Sequence, residues 1–298
     1  MTSVLVTGST GYIGNHVVRK LAAAGQHVHA VSRTSHDEHE PRVTWHRLDL
    51  HDRAAVNSLL RRVQPDKALH LAWDVAPGEF WSAAENLDWV ASSLMLLRTL
   101  ADAGCQRVVL AGSCAEYDWD VQPCEESSPL RPSTLYGAAK AAVSTTALAA
   151  APELGMQVAV GRIFFLFGPG EPTDKLVAYV IRSLLSGRRA ACSDGRQMRD
   201  YLYVEDVADA LAKLLDSSLA GAVNIGSGRP TAVAELLGMV GDVVGRPDLV
   251  GLGDQAGGAE PPLVVADVTR LQAELGWEPL VGLREGIART VNWWRAQD

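Results

Sequence analysis

The chain has 298 residues, of which 47% are hydrophobic and 21% are charged, and its formal net charge is −8. These values are typical of a globular protein with one large or two smaller domains, and they exclude a basic surface for nucleic acid or anionic membranes. There is no apolar run of membrane-spanning length, and the four cysteines lack metal-ligand spacing, so we expect a cytoplasmic protein with reduced thiols.

Strand and helix patterns alternate through the first 167 residues. Apolar runs rich in valine, leucine and alanine predict strands at 4–7, 27–32, 43–48, 67–72, 107–111 and 157–162. Helical patterns fill the intervals at 11–24, 54–63, 84–103 and 135–151. This alternation predicts an α/β fold of Rossmann type, a doubly wound parallel sheet with helices on both faces.

The pattern loosens after residue 168, where short strands and glycine-proline loops separate further helical patterns. These helices are predicted at 175–186, 205–216, 232–244, 268–275 and 283–295. We therefore predict a first domain over residues 1–167 and a smaller C-terminal α/β lobe over residues 168–298 that binds substrate. Residues 222–226 are expected to return to the first sheet.

A glycine-rich turn joins the first strand to the first helix. Gly8, Gly11 and Gly14 follow Val4-Leu5-Val6, and Tyr12 and Ile13 begin the helix. Such a turn lets the backbone approach a pyrophosphate closely, and the helix N-terminus favours the anion. The turn therefore predicts a dinucleotide site in the first domain.

The end of the second strand indicates which dinucleotide is bound. NAD-specific sites usually place a carboxylate there for the ribose 2′-hydroxyl, whereas this chain has Ser32 followed by Arg33. A neutral hydroxyl beside a guanidinium suits a 2′-phosphate. We therefore favour NADP(H) from the sequence, with NAD(H) as the alternative.

Three residues complete a pattern for moving a proton. Tyr136 and Lys140 lie one helical turn apart, and Ser113 ends the preceding strand pattern. Lys140 is on the same helical face as Tyr136 and can lower the tyrosine pKa electrostatically. All eight histidines lie at or before position 70, so an imidazole is not expected to take part. The polar segment with His36 and His39 lacks an apolar frame, and no metal site is predicted.

Together, the glycine turn and the Ser-Tyr-Lys set resemble the short-chain dehydrogenase/reductase superfamily. The chain is most similar to its extended branch, which contains nucleotide-sugar epimerases, dehydratases and 4-ketoreductases. The resemblance implies that Ser113, Tyr136 and Lys140 are catalytic. It also implies adenine contacts by Asp49 and Leu50, ribose and nicotinamide contacts by Leu71, Ala72 and Trp73, and substrate contacts by Trp73, Ser113, Phe164, Phe165, Lys175 and Arg199.

Several positions depart from the pattern of that branch. Cys114 and Ala115 stand where the sugar dehydratases carry an Asp-Glu pair, so dehydration is not expected, and Glu116 is one position too late to replace it. Phe165 replaces an asparagine that touches the sugar or its diphosphate, which predicts a more apolar pocket. Arg199 matches the arginine that contacts the diphosphate, but no second arginine follows near Glu260.

Three functions remain open from the sequence. We favour NADPH-dependent reduction of the 4-keto group of a nucleotide-linked deoxysugar, with Tyr136 supplying the proton. The alternative is a nucleotide-sugar 4-epimerase with tightly bound NAD, and a third reading is a non-catalytic dinucleotide sensor. A reductase of lipophilic ketones is a weaker variant of the first. The resemblance also implies a homodimer that pairs the helices predicted at 84–103 and 135–151.

Overall fold

The structure is a computed structural model that describes residues 2–34, 40–76, 79–258 and 260–297. Its strands in chain order are β1 (Ser3–Thr7), β2 (His27–Ser32), β3 (Val43–Arg47), β4 (Lys67–His70), β5 (Arg107–Ser113), β6 (Gln157–Ile163), β7 (Phe165–Phe167), β8 (Ala190–Cys192), β9 (Met198–Tyr203), β10 (Gly221–Ile225), β11 (Pro230–Ala232), β12 (Val250–Leu252) and β13 (Leu263–Val264). Its α-helices are α1 (Tyr12–Ala23), α2 (Arg53–Val63), α3 (Glu85–Asp102), α4 (Leu135–Ala150), α5 (Leu176–Leu185), α6 (Val204–Asp216), α7 (Val233–Val244), α8 (Thr269–Ala273) and α9 (Leu283–Arg295). Short 3₁₀ helices cover Cys114–Glu116 and Pro247–Leu249.

The main sheet has seven strands in the order β10-β6-β5-β4-β1-β2-β3, and every neighbouring pair is parallel. The predicted Rossmann-type fold is therefore confirmed. The segment expected to return to this sheet is β10, which pairs with β6 at one edge. Parallel pairing directs the carboxyl ends of all seven strands to one edge, where ligands bind in open α/β sheets.

Both faces of the sheet are covered by helices, because alternate residues of each strand point to opposite sides. Val4 and Val6 of β1 pack in a core with α1 and α6, whereas Leu5 packs in a second core with α2, α3 and α4. The side chains of all three residues are at most 1% exposed. The Asp52 carboxylate caps helix α2, since it accepts hydrogen bonds from two backbone N–H groups of the first turn.

A second sheet lies in the C-terminal part of the chain. Strand β9 pairs with β7, β11 and β13, and β8 pairs separately with β12. Helices α5, α7 and α9 enclose a third core that includes Phe167 and Tyr203. Because β7 follows β6 directly and pairs with β9, this sheet is joined to the carboxyl edge of the first one.

Two strand ends differ from the predicted boundaries in ways that matter for the site. Strand β5 continues to Ser113, which lies at its last position. Strand β4 ends at His70, so Leu71 and Ala72 lie beyond it and not within it. The strand ends there because the backbone N–H of Ala72 donates to the Thr7 side chain at 3.3 Å, and not to a backbone carbonyl of the neighbouring strand.

The part of the chain that the structure describes has no candidate membrane span and no candidate metal site, and its cysteines form no disulfide. None of the helices in that part of the chain is long and apolar enough to cross a membrane. The same residues contain no group of three His, Cys, Asp or Glu side chains that could hold a metal ion, and His36 and His39 lie outside them. The four cysteines are buried and free: Cys105, Cys114, Cys124 and Cys192.

The turn between β1 and α1 is closed by direct backbone contact. Gly8 has φ +69°, in the left-handed region that favours glycine, and a Cβ there would lie 2.8 Å from the Ala72 nitrogen. A Cβ on Gly14 would lie only 2.0 Å from the Gly8 carbonyl oxygen. Glycine is therefore required at both positions by the packing of backbone on backbone.

We expect Gly14→Ala to lower the free energy of unfolding by about 1–3 kcal/mol or more, because two backbone segments must separate. Gly238 provides a matched control, since it lies within α7 and a Cβ there would meet nothing within 4 Å. Gly238→Ala should stabilise the protein by about 0.5–1 kcal/mol through helix propensity. Urea unfolding of both variants measures these changes. Equal stability of Gly14→Ala and wild type would contradict this description of the turn.

Candidate active site

The turn after β1 offers backbone N–H groups to an anion. Gly11 caps α1 without a side-chain hydrogen bond, and the first turn of the helix carries no acidic residue. Unpaired N–H groups at a helix N-terminus attract phosphate. The residues present therefore fit the pyrophosphate of a dinucleotide. The Ser9 hydroxyl fixes the turn by donating to the Val6 carbonyl and accepting from the Val31 N–H.

The end of β2 lies beside this turn. The Ser32 hydroxyl is 3.0 Å from the Thr10 hydroxyl, and it accepts from the Thr34 N–H at 3.1 Å. The Arg33 side chain is 62% exposed and lies 3.7 Å from the Asp74 carboxylate. The cation expected to meet a 2′-phosphate thus has a carboxylate beside it, which offsets part of its attraction for an anion.

The ends of β3 and β4 bring the other predicted cofactor residues to the same edge. Asp49 is exposed and accepts from the His51 N–H at 2.9 Å, whereas Leu50 is buried in the core. Leu71 and Ala72 follow β4 and touch Gly8 through their backbone atoms. Leu71 and Ala72 therefore lie against the glycine turn, whereas Asp49 and Leu50 lie at the end of β3.

Tyr136 and Ser113 meet at the carboxyl end of β5. Tyr136 lies in the first turn of α4 and is 9% exposed. Burial raises the pKa of its hydroxyl well above the usual value, and a hydrogen bond from Ser113 opposes the rise. The sequence expectation that the tyrosine pKa is lowered is therefore not met in this structure. The reason is desolvation, which pattern and spacing do not reveal.

Lys140 lies one turn further along α4, fully enclosed by protein. Its ammonium group donates to the Ala111 carbonyl at 3.0 Å and lies 3.9 Å from the centre of the Trp73 ring. Burial lowers the pKa of Lys140 to about 7, and the nearby Glu116 carboxylate opposes this change. The lysine is thus held between backbone and aromatic face, at 5.9 Å from the centre of the Tyr136 ring.

Aromatic side chains surround Tyr136. The ring centres of Phe80, Trp81 and Trp73 lie 4.9, 5.6 and 6.3 Å from its own, all edge to face. The Trp73 N–H is already committed to Asn86 at 2.9 Å, so this indole presents mainly its apolar face. Lys175 joins the cluster, with its ammonium 5.0 Å from the centre of the Phe80 ring. Phe80 was not singled out from the sequence, because no periodic pattern places this loop.

Two predicted substrate residues, Phe165 on β7 and Arg199 on β9, form a second group. The Arg199 guanidinium lies 5.4 Å from the centre of the Phe165 ring and donates to the Glu260 carboxylate at 2.8 Å. The Arg199 side chain is 5% exposed and that of Glu260 is 56% exposed. Phe164, by contrast, is 3% exposed and packs in a core cluster with Tyr117. Its burial does not support a substrate contact, because β6 and β7 turn its ring inward.

Sequence reasoning missed a buried ion pair beside Ser113. Glu116 is fully buried, accepts from the Ser113 N–H at 2.9 Å and pairs with Arg162 at 2.9 Å. The signal was present, since Ser-x-x-Glu is a capping-box pattern, and both of its hydrogen bonds form here. The partner on β6 has no such local signal.

A buried histidine lies close to the site without joining it. His70 bonds to the Thr7 hydroxyl at 2.7 Å and to the Ser93 hydroxyl at 2.9 Å. Burial lowers the pKa of His70 to about 3, and the Lys140 charge acts in the same direction. This imidazole is therefore neutral at ordinary pH and has both ring nitrogens occupied, which makes it a structural residue between β1, β4 and α3.

Comparison with known proteins agrees with this architecture. Residues 4–226 match the NAD dependent epimerase/dehydratase family. A UDP-glucose 4-epimerase from Rhizobium meliloti is 31% identical over 98% of this chain and 96% of its own. The crystal structure of Thermotoga maritima UDP-glucose 4-epimerase with UDP-glucose aligns with a TM-score of 0.90 and 26% identity over 99% of both chains. The Thermus thermophilus UDP-glucose 4-epimerase complex with NAD aligns over 100% of both chains, with a TM-score of 0.88 and 27% identity. The chain belongs to the NAD dependent epimerase/dehydratase family, an enzyme family of the extended short-chain dehydrogenase/reductase type.

Proposed function

We propose that the protein is a nucleotide-sugar 4-epimerase that works with a retained NAD. The observation that carries the proposal is the pairing of Tyr136 with Ser113, where the two positions that follow the serine carry no carboxylate. Cys114 and Ala115 follow the serine, and Glu116 is committed to Arg162. A single phenol can take a proton from a sugar hydroxyl and later return it, which is all the acid-base chemistry an epimerisation needs.

The roles of the other residues follow from their positions. NAD, when bound, supplies the acceptor and the donor of the sugar C4 hydrogen. Ser113 donates a hydrogen bond to the C4 oxygen while Tyr136 takes or gives the proton. Lys140 places a positive charge near the phenol, which favours its anion once the site is filled. Gly8, Gly11 and Gly14 hold the pyrophosphate through the backbone of the turn.

The nucleotide part of the substrate is assigned to the second group of residues. Arg199 is a planar cation suited to bidentate binding of a diphosphate. Phe165 lies beside Arg199, whereas Lys175 lies over Phe80 in the aromatic cluster around Tyr136, to which Trp73 contributes a further face. Aromatic faces pack well against the C–H surfaces of a sugar ring. The relatives whose names specify UDP-glucose support a nucleotide sugar as substrate.

The sequence alone favoured reduction by NADPH, whereas the relatives favour epimerisation with NAD. The related Thermus enzyme is complexed with NAD, and the relative from Rhizobium meliloti is a UDP-glucose 4-epimerase. The ion pair between Arg33 and Asp74 agrees with this choice, because it reduces the attraction of the β2 end for a 2′-phosphate. The proposal therefore adopts the reaction that the sequence reading kept as its alternative.

Interconversion of UDP-glucose and UDP-galactose without added cofactor is the expected activity. Tyr136→Phe removes the proton donor and keeps the ring, so we expect kcat to fall by about 10²- to 10⁴-fold with the cofactor still bound. Tyr179→Phe, in α5 outside the site, is the matched control and should retain wild-type rates. The measurement is a coupled assay of both sugars, with bound cofactor quantified after gel filtration. A Tyr136→Phe variant with near-wild-type kcat would refute the assignment.

The second candidate is the NADPH-dependent 4-ketoreductase acting on a 4-keto-deoxysugar nucleotide. One observation favours it: the β2 end carries the neutral Ser32 and the cationic Arg33 in place of a carboxylate. If Arg33 binds a 2′-phosphate, Arg33→Asp should weaken NADPH binding by roughly 10- to 150-fold and spare NADH. Titration of both cofactors into wild type and variant decides the point. Equal wild-type affinities would remove the observation that supports this candidate.

A homodimer is also proposed, with α3 and α4 at the interface. Leu87 on α3 is 61% exposed, and the outward positions of α4 are small residues without charge, Ala138, Ala142, Thr145, Thr146 and Ala149. Small uncharged residues permit close packing of helices from two subunits. We expect light scattering at micromolar concentration to give twice the 31.9 kDa mass of the chain, and Leu87→Glu to shift it toward the monomer. A wild-type mass of one chain would contradict the proposal.

A further inference from the structure

Glu116 is a fully buried carboxylate that the proposed reaction does not consume. One of its oxygens accepts a hydrogen bond from the Ser113 N–H at 2.9 Å, and the other accepts from the Arg162 Nε at 2.9 Å. Buried carboxylates are costly unless paired and hydrogen-bonded. Both conditions are met here, so the charge is retained inside the protein at the base of the candidate active site.

The pair is supported by a hydrogen-bond network across three strands. The Arg162 Nη1 group donates to the Tyr117 hydroxyl at 2.9 Å, and that hydroxyl donates to the Asn224 side chain at 2.7 Å. Residue 112 has to be glycine for the carboxylate to fold back, since a Cβ there would lie 2.7 Å from a Glu116 oxygen. The carboxylate is therefore held rigidly by β5, β6 and β10.

The two carboxylate oxygens of Glu116 connect this network to Ser113, and through it to Tyr136. Ser113 is the last residue of β5, and its hydroxyl accepts from the Ala115 N–H at 3.2 Å while contacting Tyr136. The direction of a serine side chain depends on the orientation of its backbone. A fixed Ser113 N–H thus fixes the hydroxyl that faces Tyr136.

We propose that Glu116 is a positioning residue, which holds the backbone of Ser113 so that its hydroxyl is directed at Tyr136 and at the substrate oxygen. The inference rests on the proposed function, because it assigns a purpose to the Ser113–Tyr136 pair. Glu116 itself touches neither substrate nor cofactor. Arg162 holds the second oxygen and prevents the carboxylate from turning away.

The charge of Glu116 also acts on the two titrating groups of α4. It raises the pKa of Tyr136, because an adjacent anion disfavours the phenolate, and it raises the pKa of Lys140, because it favours the ammonium. The Cys114 thiol acts on the tyrosine in the same direction, whereas the hydrogen bond from Ser113 acts in the opposite direction. Removal of the Glu116 charge should therefore move both groups to lower pKa values.

Two variants separate position from charge. Glu116→Gln keeps an oxygen that can accept from the Ser113 N–H but lacks the charge, whereas Glu116→Ala lacks both. For Glu116→Gln we expect a kcat within about threefold of wild type at the optimum, with both limbs of the pH–rate profile shifted by roughly half a unit or more to lower pH. For Glu116→Ala we expect a loss of kcat of about 10- to 100-fold with little change in KM.

Asp206→Asn is the control for burying an altered carboxylate. Asp206 is 2% exposed and accepts from the Val281 N–H at 3.0 Å, far along the chain from the site at the start of α6. We expect this variant to change thermal stability without shifting the pH profile. A profile shift in Asp206→Asn as large as that in Glu116→Gln would overturn the inference, since it would show a general effect of destabilisation.

Hydrogen exchange provides a readout that is independent of turnover. In Glu116→Ala the amide of Ser113 should lose protection while the neighbouring strand β4 keeps it, and in Glu116→Gln the protection should remain. If the wild type converts no nucleotide sugar but the exchange pattern is as expected, the proposed function fails and the positioning contact stands. If the wild type is active and Glu116→Ala matches it in kcat, pH profile and Ser113 protection, the positioning inference is wrong.

Discussion

The site depends on the burial of two ionisable side chains on one turn of α4. Tyr136 and Lys140 are 9% and 6% exposed, and desolvation shifts both pKa values toward the neutral forms. A neutral phenol is a poor base, and Lys140, with a pKa of about 7, carries its charge in only part of the molecules at neutral pH. The positive nicotinamide of a bound cofactor would favour the phenolate by simple attraction. Burial therefore links acid-base activity to occupation of the dinucleotide site.

The arrangement around this pair is set by the parallel sheet. The carboxyl ends of β1, β4 and β5 present Gly8, Ala72 and Ser113 at one edge, and the close approach of Gly8 to Ala72 leaves no room for a side chain between them. The glycine turn and Ser113 are thus carried by the same sheet. A rigid sheet holds the residues at its strand ends in fixed relative positions without depending on mobile loops.

Parts of this architecture could be predicted from the sequence because their signals are local. The apolar run before Gly8 and the helix from Tyr12 are each encoded within a few neighbouring residues. The Glu116–Arg162 pair was not predicted, because its partners are separated by 46 positions and only their burial makes the pairing necessary. The upward direction of the Tyr136 pKa was missed for the same reason.

The choice of reaction shows a further limit of local patterns. Arg33 indicated NADP(H) when considered alone, but the nearby Asp74 is in contact only through the fold. Likewise, Arg199 matched a diphosphate-binding position, whereas its contact with Glu260 follows from the packing of distant segments. A charged residue near a ligand site therefore indicates the ligand only when its ion-pair partner is known, and the partner is revealed by the tertiary structure.

The central proposal is that a retained cofactor would take the hydrogen at C4 and return it to the same sugar molecule. Tyr136 would take the proton of the C4 hydroxyl and return it. Incubation of the purified enzyme with a nucleotide hexose carrying deuterium at C4 tests this directly. The account predicts that the label remains at C4 in both epimers, without loss to water and without added cofactor, and that Tyr136→Phe slows its appearance in the product. Release of the deuterium to solvent, or interconversion only after NADPH is added, would contradict it.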